Sequence, residues 1–400
     1  MPKKICIITG RFPARSETFV VEHAVGLACR GYEVCVISQG IGSGITAGEL
    51  EALDATGVKR IQITAYGLRR SYNAIQMMKR LLKRPKLLQY LFPKGPWTRR
   101  ELFVADAYSE VICNIRPDTL HIHYGSYAGA LCRIGLPEDA VVTWHGFDAN
   151  MLPRRRGEDM YEELFADQSV HHTVGSSFMA ERLETLGCQT QKSSKVPMGV
   201  DLNKFKFVNR SGRTSSVLHI ISVGRLDEMK GHCYLIDAVA QSIDMGISVQ
   251  LRIIGEGPLR GALESQIEES SAGNYIELLG AQNSRVVRRE LEFADLFALA
   301  GVEAENGRVE TQGVVLIEAQ ATGLPVVASR VGGVPDSVIH GETGTLCEPK
   351  NIDQLVAAIQ QYAENLGYRL AHGRAASRFV QQRFSLSTML DSFEALYDRI

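Results

Sequence analysis

The residue types best suited to chemistry lie in the run Glu310-Thr311-Gln312-Gly313-Val314-Val315-Leu316-Ile317-Glu318, two carboxylates with seven residues between them. Gly313 is placed to open a helix. A helix start offers unpaired N–H groups and a partial positive charge, which suits a phosphate. Glu310 then falls in the loop before the helix, and Glu318 about a turn and a half inside it. An ionised carboxylate only accepts hydrogen bonds, so it is matched to a sugar hydroxyl. Spacing alone fits two solvated acids near a helix start equally well.

A second group of candidates is Ser222-Val223-Gly224-Arg225-Leu226-Asp227-Glu228-Met229-Lys230-Gly231. It follows an apolar run and leads into a helical pattern. Gly224 permits a tight exit from a strand. Arg225 offers a planar fork to a phosphate and Lys230 a point charge. Two such cations can neutralise a departing diphosphate where no metal does so. The competing interpretation is an ordinary charged loop.

Histidines supply a third group. His145, in Val142-Thr143-Trp144-His145-Gly146-Phe147-Asp148, falls just after an apolar run and could bond a hydroxyl or stabilise charge; a structural histidine fits equally. His121-Ile122-His123-Tyr124 puts two imidazoles on one face of a strand, as a metal pair would require. No cysteine or acid stands at ligand spacing, so no metal is expected there. The chain contains no Asp-x-Asp that would hold a metal at a diphosphate. Gly255-Glu256-Gly257-Pro258-Leu259-Arg260-Gly261 imitates a dinucleotide fingerprint, with Glu277 at a suitable distance, but its third glycine comes one place late.

These groups need elements to position them, and the hydrophobic pattern supplies them. Short apolar runs predict strands over 4–9, 33–38, 119–122, 140–144, 170–174, 217–223, 249–254, 275–279, 296–299 and 325–328. Helical patterns fall between them over 17–30, 231–243, 259–268 and 314–322, and in a helix ending near Gly187. Repeated β-α alternation implies parallel sheets covered by helices. The pattern restarts near residue 200, so two doubly wound sheets are expected, over 1–200 and 201–375. A helical tail is expected over 376–400. Ligands in such sheets bind beyond the carboxyl ends of the strands, and a cleft between two domains is the default site.

Composition narrows the classes. The 400 residues are 45% hydrophobic and 22% charged, with net charge −1, which excludes disordered and disulfide-framework proteins. Residues 1–200 carry 25 Lys and Arg against 20 Asp and Glu, a net +5; residues 201–400 carry 19 against 25, a net −6. The eight cysteines form no C-x-x-C pair and read as free thiols of a reducing compartment. The first apolar stretch is too short for a signal peptide, and no run approaches a membrane span, so a cytoplasmic protein is expected. Residues 67–100 hold ten basic residues and no acid, interleaved with apolar ones. This composition fits contact with an anionic membrane surface, peripheral at the inner face. Nucleic acid is not an expected partner, given the acidic second half and few aromatics.

Taken together, these segments resemble the retaining glycosyltransferases of family 4, which have the GT-B fold. The resemblance spans nearly the whole chain and is strongest over 217–348. It rests on Gly224-Arg225-Leu226 with Lys230-Gly231, on Glu310 to Glu318, on Val331-Gly332-Gly333-Val334-Pro335 and on Gly341-Glu342-Thr343-Gly344. Phe12-Pro13 with Ser16-Glu17-Thr18-Phe19 resembles a subgroup of bacterial exopolysaccharide assembly. The resemblance implies transfer of a sugar, with retention, from a nucleotide sugar to a saccharide or lipid-linked acceptor, with no metal or other cofactor. Uridine is the family's commonest nucleotide. In its terms Arg225 and Lys230 bind the diphosphate, Glu310 the donor sugar, and Glu318 the ribose. Gly224 and the amides of Gly313, Val314 and Val315 line the donor site. His145 lies near the reacting sugar, and Arg15, Ser16, Glu17, His123 and Tyr124 mark the acceptor side. The resemblance also implies that the helix over 376–400 packs back on the first domain. The chain departs from the family in two places: the first loop lacks paired glycines, and Thr311-Gln312 replaces Gly-Phe. A nucleotide-sugar epimerase, a nicotinamide-dependent oxidoreductase resting on Gly255 to Gly261, and a sugar-binding protein are the other classes to be separated by ligand and product.

Overall fold

The computed structural model describes residues 2–14, 17–43, 45–63, 93, 95–136, 138–213 and 216–399. Arg15, Ser16 and most of the basic stretch 67–100 lie outside the described residues. Two compact units emerge. One comprises Met1–Gly175, Met179–Val196 and Met389–Ile400; the other comprises Ser176–Phe178 and Pro197–Thr388.

The first unit is built on seven strands: β1 (Lys4–Ile8), β2 (Glu33–Ser38), β3 (Lys59–Gln62), β4 (Thr119–His123), β5 (Ala140–Trp144), β6 (Val170–Val174) and β7 (Ser193–Lys195). Their order is β3-β2-β1-β4-β5-β6-β7, and every ladder is parallel. The second holds β8 (Leu218–Val223), β9 (Val249–Ile254), β10 (Ile276–Gly280), β11 (Leu296–Leu299), β12 (Val326–Ser329) and β13 (Gly344–Cys347). Their order is β10-β9-β8-β11-β12-β13, again parallel throughout.

The central strands, β1, β4, β5, β11 and β12 among them, are buried on both faces, and for that reason they read as continuous apolar runs in the sequence. Alternation sorts their side chains between two layers. Leu218, Ile220, Leu251 and Ile253 pack in one cluster, while Ile221 and Ile254 pack in the other. In both sheets the strand order reverses beside the first strand, between β1 and β4 and between β8 and β11. A crevice forms at such a switch point beyond the carboxyl ends of the strands. The residues placed there follow β1, β4 and β5 in one unit and β8 and β11 in the other.

The chain ends in three helices, Ile352–Glu364, Leu366–Arg383 and Leu386–Tyr397. The part of the last helix from Met389 onward packs in the first unit, where Leu390 lies against Gly26. All eight cysteines are free thiols. Among the described residues no helix is long and apolar enough to cross a membrane.

Candidate functional site

In the second unit the chemistry-bearing residues meet at the carboxyl ends of β8 and β11. Lys230 closes a short 3-10 turn, Glu228–Lys230, just before the helix His232–Asp244. Its Nζ lies 2.5 Å from Glu310 Oε2, and both side chains are nearly buried, 13% and 12% exposed. Glu310 Oε1 accepts the Gly313 backbone N–H at 3.0 Å. Gly313 has φ +78° and opens the helix Val314–Ala321. The two sequence segments are therefore one object: a cation, a carboxylate and a helix start held in a line. Burial pushes the Glu310 carboxyl up, but Lys230 and the N–H groups of Gly313 and Gln312 outweigh it and hold the carboxyl below its ordinary range.

Arg225 differs from Lys230. Its side chain is 67% exposed, and its nearest acid is Asp227, 3.9 Å away. Asp227 is bound more closely by Arg308, at 2.9 Å. Arg225 is thus a solvated cation at the mouth of the sheet, with Arg308 a third cation that the spacing did not single out. On the helix, Val314, Val315 and Glu318 are half-buried while Leu316, Ile317 and Ala319 are buried, so one stripe faces away from the core.

The loop Val331–Pro335 holds this group from behind. A Cβ at Gly332 would meet the Glu310 carbonyl oxygen at 2.1 Å, and one at Gly333 the Thr311 carbonyl oxygen at 1.9 Å. Only glycine lets the two backbones approach so closely. Gly333 also donates its N–H to Glu310 O at 2.8 Å. Gln312 is buried and brackets Met198, accepting its N–H at 2.9 Å and donating to its carbonyl at 2.8 Å. The residue that departs from the family pattern is thus a backbone clamp.

The dinucleotide imitation has a packing explanation. A Cβ at Gly255 would strike the Gly224 carbonyl oxygen at 1.9 Å, and one at Gly257 the Leu226 carbonyl oxygen at 2.3 Å. These glycines let the exit of β9 lie on the Gly224–Leu226 backbone. Glu277 sits on the edge strand β10 and pairs with Arg252 at 3.4 Å. Nothing in this arrangement calls for a nicotinamide cofactor.

The first unit gathers a different set beyond β1, β4 and β5. His145 is half-buried, with Phe19 and Tyr124 packed on its ring at centroid distances of 4.5 and 4.7 Å. Asp148 shapes the loop, accepting N–H bonds from His145 at 3.2 Å, Gly146 at 2.9 Å and Gly125 at 2.7 Å. An Asp side chain bonding backbone N–H groups nearby is a common loop device, and here it also ties the loop to the start of the helix Gly125–Ile134. Burial raises the Asp148 carboxyl to about 6 despite those N–H groups. Glu17 accepts from Thr9 Oγ1 at 3.2 Å and bonds Tyr124. Burial raises its carboxyl, the two hydrogen bonds offsetting part of the effect. Burial, with Glu17 and Asp148 nearby, also pushes the Tyr124 phenol up.

One acceptor-side expectation needs correction. His123 is fully buried, and both its ring nitrogens are taken, Nε2 by His23 at 3.2 Å and Nδ1 by His145 at 2.9 Å. It can influence an acceptor only through His145. Sequence spacing also missed His23, on the helix Thr18–Cys29. His23, His121 and His123 bring ring nitrogens within 4.8 Å of one another. Every one of those nitrogens already has a hydrogen-bond partner, Tyr397 and Thr143 completing the set, and no carboxylate among the described residues joins it. The donor set fits a hydrogen-bonded chain better than a cation.

Comparison with known proteins identifies the family. Residues 16–204 match the family described as Glycosyltransferase Family 4, and residues 204–379 the one described as Glycosyl transferases group 1. The putative colanic acid biosynthesis glycosyltransferase WcaL of Salmonella typhimurium is 28% identical over 384 residues, 90% of each chain. The amylovoran biosynthesis glycosyltransferase AmsK of Erwinia amylovora is 29% identical over 381 residues, 89% of each. Among solved structures, a glycosyltransferase from Rickettsia africae superposes with TM-score 0.74 at 18% identity, covering 100% of this chain and 98% of the other. Anabaena HepE, solved in complex with UDP and glucose, gives 0.74 at 17% identity, covering 100% of both. At these identities the structural likeness speaks for the fold, the GT-B architecture of two parallel sheets expected from the sequence.

Proposed function

Because the chain belongs to glycosyltransferase family 4, the group 1 glycosyl transferases, we propose that it moves a sugar from a nucleoside-diphosphate sugar to a saccharide or lipid-linked acceptor during exopolysaccharide synthesis. Transfer retains the configuration at the anomeric carbon and requires no metal. Uridine diphosphate is the expected carrier, in keeping with the ligands named for HepE.

The observation that carries this reading is the Lys230–Glu310–Gly313 line beside Arg225. Breaking the bond between the anomeric carbon and the diphosphate leaves negative charge on the departing oxygen. Lys230 and Arg225 supply two positive charges there, and the Val314–Ala321 helix adds its N-terminal N–H groups. Glu310 keeps lone pairs beyond the two it uses, so it can accept from a sugar hydroxyl while holding Lys230. Glu318, one turn on and half-buried, is assigned to the ribose. His145 is assigned to a hydroxyl of the reacting sugar, and Glu17 and Tyr124 to the acceptor. The absence of any Asp-x-Asp supports metal-independent chemistry.

The test is transfer from a panel of nucleotide sugars to lipid-linked saccharide acceptors, with and without EDTA, and the product's anomeric configuration read by NMR. A retained configuration and EDTA-insensitive rates support the proposal. Inversion, metal dependence or sugar epimerisation without acceptor contradicts it. The basic composition of residues 67–100 supports an anionic membrane surface as the place where the acceptor is met. Flotation with anionic liposomes should then be salt-sensitive; no flotation would remove the membrane from the proposal.

A further inference from the structure

Glu17 stands at the N-cap of the helix Thr18–Cys29, where an acidic side chain can accept a backbone N–H of the first turn. Its side chain makes no such bond. It turns instead to two hydroxyls: Thr9 Oγ1 donates to Oε2 at 3.2 Å, and the Tyr124 phenol bonds the carboxylate as well. Among the described residues Arg11 is the cation that acts on it, through its charge and without a bond. Two hydroxyl donors leave lone pairs of the carboxylate for a third. Glu17 is half-buried beyond the carboxyl ends of β1 and β4, so it has given up a structural task for a place in the site.

Tyr124 is a backbone outlier. It has φ 79° and ψ 119°, a combination that a bulky residue avoids. Arg116 also has positive φ, but with ψ 69° it lies in the left-handed helical region of an ordinary helix end. Tyr124 is pinned on both sides. Its N–H donates to the Thr143 carbonyl at 2.8 Å, and its own carbonyl accepts the Tyr127 N–H at 3.1 Å. The next residue, Gly125, gives its N–H to Asp148 Oδ2 at 2.7 Å. Strain of this kind persists where the surroundings over-determine it, and it gathers at functional sites. Here it secures the direction of a side chain: the ring packs on His145, 4.7 Å between centroids, and the phenol reaches Glu17. Burial, then Glu17 and Asp148, push that phenol up, so it keeps its proton and gives the carboxylate an O–H.

We propose that Glu17 is the base that receives the proton of the acceptor hydroxyl, and that Tyr124 is the positioning residue that holds its carboxylate for that task. In the step, the hydroxyl oxygen forms the bond to the anomeric carbon and its proton passes to Glu17. The electron pair of the broken carbon–oxygen bond leaves with the diphosphate. Glu17 returns the proton to water as the product departs. The reaction rests on the proposed function; the coupling of Glu17 to Tyr124 does not. Burial raises the Glu17 carboxyl, and Tyr124, Thr9 and Arg11 offset part of that rise. A carboxylate raised toward the working pH is a better proton acceptor. The other ionisable groups around the pair are Tyr127 on the helix Gly125–Ile134, and His145 and Asp148 on the loop after β5.

The test is two pH titrations of the full chain. The first follows the carboxyl ¹³C signal of Glu17 in the free protein, assigned through Glu17→Gln. It should titrate above the ordinary glutamate range. Tyr124→Phe and Thr9→Val should each move it further up, because each removes a bond that lowers it. The second follows the rate constant for transfer, with the nucleotide sugar and saccharide acceptor selected by the panel above. Its acid limb should coincide with the Glu17 titration and move with it in Tyr124→Phe. Glu17→Gln should lower the rate constant roughly 100- to 10,000-fold and leave uridine diphosphate affinity, read by calorimetry, unchanged. A Glu17→Gln rate within a few-fold of the wild type overturns the proposal. So does an acid limb that persists in that variant, which would belong to Asp148, or a Glu17 titration unmoved by Tyr124→Phe and Thr9→Val. The two hydroxyl substitutions are independent, so one that fails to fold leaves the other to decide. No transfer with any pair on the panel would refute the proposed function and the base with it, while the free-protein titration would still decide the coupling.

Discussion

The two units face the same problem, polar groups gathered beyond a buried parallel sheet, and solve it with opposite chemistry. The first keeps its histidines uncharged: four of them, with a tyrosine and two threonines, bond one another in a chain. The second keeps its groups ionised: Lys230 is locked to Glu310, and Arg225 stands in solvent. A neutral chain defines the direction of a hydrogen bond, which is what recognition of hydroxyls needs. An ion pair with a free cation beside it stores charge, which is what a departing diphosphate needs. Under the proposed function this contrast would give hydroxyl recognition to one unit and charge neutralisation to the other.

The contrast can be broken most forcefully at Lys230. Lys230→Ala should lower the rate constant for transfer roughly 100- to 1,000-fold, the usual cost of removing one group that stabilises developing charge. An unchanged rate in a folded variant would remove charge neutralisation from the second unit. Stability of the same variant should fall by about 3 kcal/mol, because Glu310 is left nearly buried without its partner.

Acid should separate the units next. A buried histidine whose folded value is depressed is neutral when folded and protonated when unfolded, so its contribution is lost as pH falls below about 6.5. The first unit has five such rings, His23, His121, His123, His145 and His172; the second has one with a comparable depression, His232. Each contributes up to about 1.4 kcal/mol per pH unit. Asp148 and Glu17 act in the other direction, since a raised carboxyl takes up a proton in the folded state first, and together they offset at most about two of the five histidines. The depressed Glu310 loses its contribution only as pH falls below its ordinary carboxylate range. Hydrogen exchange at about pH 5.5 against about pH 7.5, roughly one unit either side of the ordinary histidine value, should therefore expose the first unit first. Equal loss of protection in both would erase the contrast.

Smaller effects sharpen it. Asp148→Asn weakens the acceptor of three backbone N–H groups and should cost about 2 kcal/mol by chemical denaturation, with nucleotide affinity unchanged. Glu318→Gln should weaken nucleotide binding by about 1 kcal/mol, a neutral acceptor replacing a charged one, with the rate constant at saturating donor nearly preserved.

Much of this was legible in the sequence because buried parallel strands announce themselves. The strands over 33–38, 140–144, 170–174, 249–254 and 296–299 have the bounds that their apolar runs predict. β13 (Gly344–Cys347) was hidden because its run begins in a glycine loop, and β7 (Ser193–Lys195) because it is short and polar. The helix Ser284–Phe293 passed unnoticed, although Asn283 caps it by accepting from Arg285 and Val286. At the site, residues close in sequence were found together and residues far apart were not. Arg225, Lys230, Glu310 and Glu318 carry a motif; the Lys230–Glu310 bond, 80 positions long, does not. The chain of His23 and Tyr397 spans 374 positions and leaves no periodic trace. His121 and His123 were visible as a pair, but their meaning depends on partners that only the fold brings to them.

The most direct test is calorimetric titration of uridine diphosphate in EDTA against the wild type, Lys230→Ala and His145→Ala. Binding that survives EDTA, weakens at least tenfold (about 1.4 kcal/mol) in Lys230→Ala and persists in His145→Ala is the predicted result. Binding that needs a divalent cation, or that is indifferent to Lys230, would contradict the assignment of diphosphate recognition to the second unit's charged line.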